Sequence, residues 1–397
     1  MTATPAPLRP AAPVADPEEL AARTRAFVET TVTPAEAEVI AGRPVDDALR
    51  VELQAAAREA GVFGPVSPRE YGGLGLDMRG QALVLEAAGR SLLGPLAVHG
   101  SAPDDANIEL LAAVADPVQA ESHLAPLARG EVRSAIAMTE PAPGAGSDPS
   151  MLLTRAERTG DGWRVTGRKT YVTGAQGAAF LIVVAATDEG PTIFLVDAGR
   201  PGVRIGRRIP TIDRAAVGGH CEVDLDGVAV APGEVLGPVG GGLAQAQTRL
   251  APSRLTFCMK FLGLAARAHE LTCAHLRGRH AFGVPVAELG IAQAQVADSE
   301  IDLTAARALV RDAAAVLDTA GPTSAAARHA AAVAKTFVSE AVWRVLDRAV
   351  QLHGSVGVAE DELVMRFLLE ARAFRIYEGP SEVLRWSIAR RALRAPR

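Results

Sequence analysis

Cysteine is scarce in this chain, with only Cys221, Cys258 and Cys273 among 397 residues. The three show no metal-type spacing, and so small an odd number in so long a chain excludes a disulfide scaffold and argues for reduced thiols in a cytosol. Nor does any stretch approach the roughly 20 consecutive apolar residues that a spanning helix needs, which excludes a helical membrane span. Charge of one sign is lacking too: the formal net charge is -5 and the pI about 6.0. That balance gives no electrostatic case for nucleic acid or an anionic membrane as partner. Aromatic residues make up 4% of the chain while Ala, Gly and Arg abound, a pattern that speaks of GC-rich codons rather than of function. Residues 1–17 are rich in Ala, Pro and Thr, carry one Arg and have no continuous apolar core. They fit neither a signal peptide nor an anchor and are expected to form a frayed leader.

What is present is an ordinary globular composition, 48% hydrophobic and 22% charged, in a chain long enough for two or three cores. Three regions are expected. Residues 18–134 read as helical: Glu19 to Glu38 and Asp46 to Ala60 carry apolar residues at mixed three and four spacing, the second closed by Gly61. In that second helix Val51, Leu53 and Ala57 are expected to face one way. A glycine-rich turn over Tyr71 to Leu76 precedes another helix through Ala82 to Leu93. Residues 135–243 change period. Met151 to Glu157, Trp163 to Thr173, Phe180 to Ala186, Thr192 to Val196 and His220 to Leu225 are short β-type runs between tight turns, which predicts an antiparallel barrel or sandwich. After the linker Gly237 to Gly242, residues 244–397 return to long helices. Ile301, Ala305, Leu309, Ala313 and Leu317 repeat every four residues, as do Phe337, Ala341, Val345 and Ala349, and Val364, Phe367, Leu368 and Ala371 form a third set. Such stripes predict a helical bundle that also buries a subunit interface. The fold class is therefore α+β and multi-domain, a β domain between helical regions.

Near the end, Arg375-Ile376-Tyr377-Glu378-Gly379-Pro380-Ser381-Glu382-Val383-Leu384 sets a carboxylate on a short connection between two amphipathic segments. The Gly-Pro step behind it reads as the first turn of a new helix. Glu378 thus stands on irregular backbone at a helix mouth, where a base sits beside orphan N–H donors. Removing a proton next to a carbonyl requires that pairing: the base takes the proton, and the donors hold the charge that develops on oxygen. From the decapeptide alone, a solvated Glu in a loop is the simpler reading.

Other stretches bear on it. Ala137-Met138-Thr139-Glu140-Pro141, with Gly144-Ala145-Gly146-Ser147-Asp148 behind it, offers hydroxyls and free N–H groups on a loop that can approach a flat heterocycle or a phosphate. Gly167-Arg168-Lys169-Thr170-Tyr171-Val172-Thr173-Gly174 is a strand carrying an aromatic and a hydroxyl. Leu250-Ala251-Pro252-Ser253-Arg254 opens a long helix, Arg279-His280-Ala281-Phe282-Gly283 pairs a forked donor with a stacking face, and Gln351-Leu352-His353-Gly354-Ser355 ends another helix.

These phrases, in this order and over nearly the full chain, resemble those of the acyl-CoA dehydrogenases, flavoproteins that oxidise an acyl thioester to its 2,3-enoyl product. The resemblance implies a helical N-terminal domain, a central β domain and a C-terminal four-helix bundle, and a noncovalent FAD shared between subunits of a homodimer or homotetramer. It implies that Glu378 is the catalytic base. Met138, Thr139 and Ser147 would line the flavin, Tyr171 would cover it, and Thr173 would donate toward its reactive nitrogen. Arg279 and Phe282 would reach a neighbouring subunit's dinucleotide, Gln351 and Gly354 would lie near its adenine end, and Pro380 and Glu382 would complete the cofactor site. Ser147, Arg254, Tyr377 and Gly379 would meet the thioester. His353 is expected to cap or pack. The chain departs from the family's pattern by inserting Ala142-Pro143, and by Ala251 and Ala281 where acidic and Thr residues are common.

The resemblance further implies an acyl-CoA or acyl-carrier substrate and an electron-transfer flavoprotein as acceptor. A free Glu titrates near about 4.3, so closing the site on a ligand is expected to raise Glu378 by desolvation. The second reading is a flavin-dependent monooxygenase or oxidase on the same scaffold, which usually lacks the loop carboxylate; a third is a flavin-free scaffold or partner subunit. Phe261, Leu262 and Val98 are candidates to limit the acyl chain.

Overall fold

The computed structural model describes residues 16–394. The leader therefore lies outside the described residues apart from Asp16 and Pro17, the N-cap and first residue of helix α1 (Pro17–Phe27). A five-residue π turn, Val28–Val32, carries α1 into α2 (Thr33–Ile40), so the run expected from Glu19 to Glu38 is one helical path with a widened turn. Helix α3 (Asp47–Glu59) begins where the Asp46 carboxylate accepts from Leu49 N at 3.0 Å. Its buried stripe is Leu49, Leu53 and Ala57, with Val51 55% exposed. The placement of Val51 inward fails because a residue two positions from Leu53 lies on the far side of a 3.6-residue turn. Helices α4 (Met78–Ala88), α5 (Gly94–Ala97), α6 (Asp104–Val114), α7 (Pro117–Gln119) and α8 (Ala125–Ala128) complete this region.

The sheet follows as β1 (Ser134–Ala137), β2 (Arg155–Thr159), β3 (Gly162–Thr173), β4 (Phe180–Thr187), β5 (Gly190–Asp197), β6 (Val203–Ile209), β7 (His220–Val230) and β8 (Val235–Leu236). Its order is β6-β7-β3-β2-β4-β5-β8, antiparallel except that β1 joins β4 in parallel and β2 meets β4 at one parallel bridge. Trp163 of β3 packs edge-on against Phe194 of β5 at 5.7 Å although the two strands are not neighbours, so the sheet curls around its own core. Alternation on β4 divides two cores: Leu181, Val183 and Ala185 face the sheet's interior, while Phe180, Ile182 and Val184 face the helices. Burial on both faces is why this strand reads as a continuous apolar run. The strand expected to start at Met151 starts at Arg155, because Asp148 caps a 3-10 turn over Pro149–Met151.

Helices α9 (Gly242–Gly278), α10 (Gly290–Ala320), α11 (Ala325–His353), α12 (Leu363–Arg372) and α13 (Ser381–Ala392) form the C-terminal bundle, with the small ribbon β9 (His280–Ala281) and β10 (Val284–Pro285) after α9. On α10 the buried stripe is Leu303, Ala306, Val310, Ala313 and Leu317, while Ile301 is 65% exposed. A strict four-residue repeat drifts around a 3.6-residue helix, and mixed three and four spacing holds the face. The N-terminal region and bundle share one core. Helix α4 meets α9 where a Cβ on Gly89 would lie 2.0 Å from Lys260 O and one on Gly263 2.0 Å from Glu86 O, so only glycine admits that approach. No described helix is long and apolar enough to cross a membrane.

Candidate active site

Between α12 and α13 the chain passes through a 3-10 turn, Ala373–Arg375, and then a loop that carries Tyr377, Glu378, Gly379 and Pro380. Glu378 has φ +55°, a left-handed conformation that costs a non-glycine residue about 1–3 kcal/mol. Two cations, the half-buried Arg254 and the buried Lys335, hold that backbone. Arg254 Nε donates to the Glu378 carbonyl at 2.8 Å, and Lys335 Nζ donates to the Gly379 carbonyl at 2.7 Å. Desolvation pushes the Lys335 ammonium down to about 8. Ser381 Oγ donates to Glu340 at 2.9 Å, and Glu340 in turn pairs with Arg375 at 2.9 Å, which fixes the start of α13. Among the described residues the backbone N–H groups of Glu378 and Gly379 meet no acceptor.

The Glu378 side chain is 10% exposed. Its Oε1 accepts from Arg249 Nη1 at 3.3 Å; its Oε2 is buried with no partner among the described residues. Arg249, itself buried, also donates from Nε to Asn107 Oδ1 at 3.3 Å. From α6, Glu109 contributes a second carboxyl, with Oε2 buried and unpaired. Burial, then the Asp105 carboxylate, raises Glu109 to about 8, against the pull of Arg249 and Lys260. Asp105 is committed elsewhere, accepting from Lys260 Nζ at 2.6 Å and from Thr256 Oγ1 at 3.1 Å. Tyr377 lies against Phe257, ring centroids 4.8 Å apart, and burial holds its hydroxyl well above the usual phenol range, with Glu370, Asp213 and Glu378 adding to the effect.

Thr170 N donates to Thr139 O at 2.9 Å, which sets Met138 and Thr139 beside the end of β3. The loop after Thr139 is folded around Glu140, whose carboxylate accepts from Lys169 Nζ at 2.8 Å and from the N–H groups of Leu153, Thr154 and Ala145. Burial alone would raise Glu140; Lys169 and the backbone donors outweigh it and bring the group to about 2. Tyr171 is 58% exposed with φ +53°, while Val172 beside it is core. The Thr173 hydroxyl lies 2.9 Å from His220 Nδ1, and His220 Nε2 lies 3.0 Å from Asp213 Oδ2. Glu370 of α12 accepts from the N–H groups of Arg214 and Ala215 at 2.9 and 3.3 Å and so clips the Asp213 loop to the bundle. Ser147 is exposed on the loop beyond.

A separate cleft of about 400 Å³ is lined by Arg279, Gln351, His353 and Gly354, so two of the singled-out phrases meet there. Phe282 stands outside it, 94% exposed at φ +52°. His353 packs, stacked on His275 at 4.5 Å with Nδ1 2.7 Å from Ala349 O. Glu382 is exposed on the first turn of α13. Among the described residues four non-glycines have positive φ: Tyr171, Phe282 and Glu378, and His99 inside the N-terminal core. Arg249, Glu109, Lys335 and the His220–Asp213 pair were not singled out in the sequence. Arg249 precedes Arg254 by five residues on α9, and an arginine among the apolar positions of that helix is the signal that was available.

The chain matches three family descriptions: "Acyl-CoA dehydrogenase, N-terminal domain" over residues 15–131, "Acyl-CoA dehydrogenase, middle domain" over 135–228 and "Acyl-CoA dehydrogenase, C-terminal domain" over 240–393. It is 36% identical to "Probable acyl-CoA dehydrogenase FadE2" of Mycobacterium tuberculosis, over 86% of this chain and 85% of the relative. It is 32% identical to the 3-(aryl)acrylate reductase of Clostridium sporogenes, over 86% of this chain and 90% of the relative. The solved structure of butyryl-CoA dehydrogenase from Megasphaera elsdenii superposes with a TM-score of 0.84 at 27% identity, covering 95% of this chain and 98% of that one.

Proposed function

The chain belongs to the acyl-CoA dehydrogenase family, and on that premise we propose that it oxidises an acyl thioester of CoA or an acyl carrier to the trans-2-enoyl thioester, with Glu378 as the base. The observation that carries this reading is the state of Glu378: strained, pinned through its own carbonyl and its neighbour's, and left with one buried carboxylate oxygen and one backbone N–H unpaired. The free oxygen suits an α proton, and the free N–H suits the thioester oxygen on which charge then develops. Donors of this kind are typically worth about 3–4 kcal/mol each in the transition state.

The residues present fit FAD. Tyr171 offers an exposed ring on a rigid strand, Met138, Thr139 and Thr173 border it, and Arg279, Gln351 and Gly354 form a cleft suited to a pyrophosphate and adenine. When bound, FAD supplies the two-electron acceptor for the β hydrogen, which leaves as hydride. The chain's own contribution is positional. Tyr377 and Gly379 flank the base, Arg254 holds its backbone, and the Glu370 clip keeps the sheet edge and the loop at one spacing. Ser147, Phe282, Pro380 and Glu382 complete the proposed contacts. We assign the reoxidation to an electron-transfer flavoprotein, the assembly to a homodimer or homotetramer in which one subunit's Arg279 serves another's cofactor, and the location to the cytosol.

Anaerobic mixing of the FAD-loaded protein with acyl-CoAs of graded length tests the reading. Wild type is expected to lose its yellow flavin absorbance without added reductant. Glu378→Gln is expected to keep FAD and lose the rate by at least about 10²- to 10⁴-fold. Near-normal bleaching in that variant removes the base assignment, and a requirement for a flavin reductase points to the monooxygenase chemistry instead.

A further inference from the structure

We infer that this site is built for acyl thioesters that carry a carboxylate on the acyl chain a few carbons beyond the reacting carbons, with Arg249 as the group that receives it. The inference rests on Glu378 being the base and names the substrate class for that site.

Arg249 Nη1 reaches the base through one contact, 3.3 Å to Glu378 Oε1, and Glu378 Oε2 is left free. With the α proton going to the free Oε2, Oε1 remains the only counter-ion of Arg249 among the described residues, at 3.3 Å. Nothing else nearby adds a second. Asn107 is neutral, Asp105 is committed to Lys260 and Thr256, and Glu109 is kept protonated at neutral pH by its burial. Nη2 of Arg249 has no acceptor among the described residues. An unbranched alkyl chain entering here would leave Nη2 without an acceptor, which is disfavoured away from water. A chain that brings its own carboxylate supplies the missing partner through a forked, charge-assisted contact and draws Arg249 off the base. Arg249 Nη1 lies one hydrogen bond, 3.3 Å, from the Glu378 oxygen, so the position that satisfies it is close to the reacting carbons rather than at a distant end of the pocket. The unpaired Glu109 Oε2 and Ser253 Oγ are further buried polar atoms better suited to a polar acyl group than to an alkyl one.

The test pairs mono-CoA thioesters of dicarboxylic acids with the monocarboxylic acyl-CoAs of the same carbon count, glutaryl against pentanoyl, adipyl against hexanoyl and suberyl against octanoyl. Binding is measured by calorimetry on the FAD-loaded protein, and turnover by flavin bleaching. At least one dicarboxylic member is expected to bind and react at least about 10-fold better than its match. Arg249→Met is expected to reverse that preference, and Arg249→Lys to keep part of it. Equal or weaker binding of every dicarboxylic member by wild type overturns the proposal, as does a preference that survives in Arg249→Met with normal FAD content. Binding without bleaching by any thioester would instead strike at the oxidation, leaving the calorimetric preference to report on Arg249.

Discussion

Glu378 and Glu109 are two carboxyls near Arg249, and their surroundings differ. Glu378 has a guanidinium at 3.3 Å; Glu109 has burial and the nearby Asp105 carboxylate, and burial dominates. A carboxyl whose folded value is raised contributes stability that is complete below its unfolded value and lost as pH rises through the folded one. For Glu109 that window runs from about 4.3 up to about 8. Glu109→Gln is therefore expected to flatten the fall in melting temperature between about pH 5 and about 8, as read by thermal denaturation against pH. An unchanged profile would mean that Glu109 is solvated. At this scale the sequence drew attention to Glu378, Thr173 and Arg279 because a motif supplied the context. It was silent on Arg249, Lys335 and His220, because their partners lie far away in the chain: Glu378, the Gly379 carbonyl and Asp213. No spacing rule reports such contacts.

The elements that frame the site are held by buried charge as much as by apolar packing. Lys169 on β3 donates to Glu140 and to the carbonyls of Met138 and Val184, so one ammonium ties the loop after Thr139 to two strands. Lys169→Met is expected to cost about 3–5 kcal/mol of stability by stranding the Glu140 carboxylate, and to loosen FAD, as read by denaturant titration and flavin content. The sign with pH follows from the depressed Glu140 value. The stability it contributes is present above about 4.3 and lost as pH falls toward about 2. Periodicity exposed β3, β4, α11 and α12 because their apolar sets repeat cleanly. It missed β6, where Arg204, Arg207 and Arg208 mark a charged edge strand with little buried surface to report, and it turned Val51 and Ile301 inward. Helix existence is a local property; which way a helix faces is decided by what packs on it.

At the scale of the whole molecule, the ribbon and α10 carry exposed apolar side chains: Phe282, Ile291 and Ile301 are 94%, 76% and 65% exposed. A surface of that kind beside the Arg279 cleft suits a second copy of the chain. The protein is accordingly expected to sediment as a dimer or tetramer, and Arg279→Ala to lose FAD while retaining its secondary structure, since Arg279 is solvent-facing here. A monomer with full flavin content would contradict the shared cofactor site. The most direct measurement of the central claim isolates the proton from the oxidation: a 3-thiaacyl-CoA, whose sulfur replaces the β carbon and blocks dehydrogenation, is incubated with the FAD-loaded protein in D₂O. Deuterium is expected to enter at the α carbon with wild type and not with Glu378→Gln; equal exchange in both would mean that another group removes the proton.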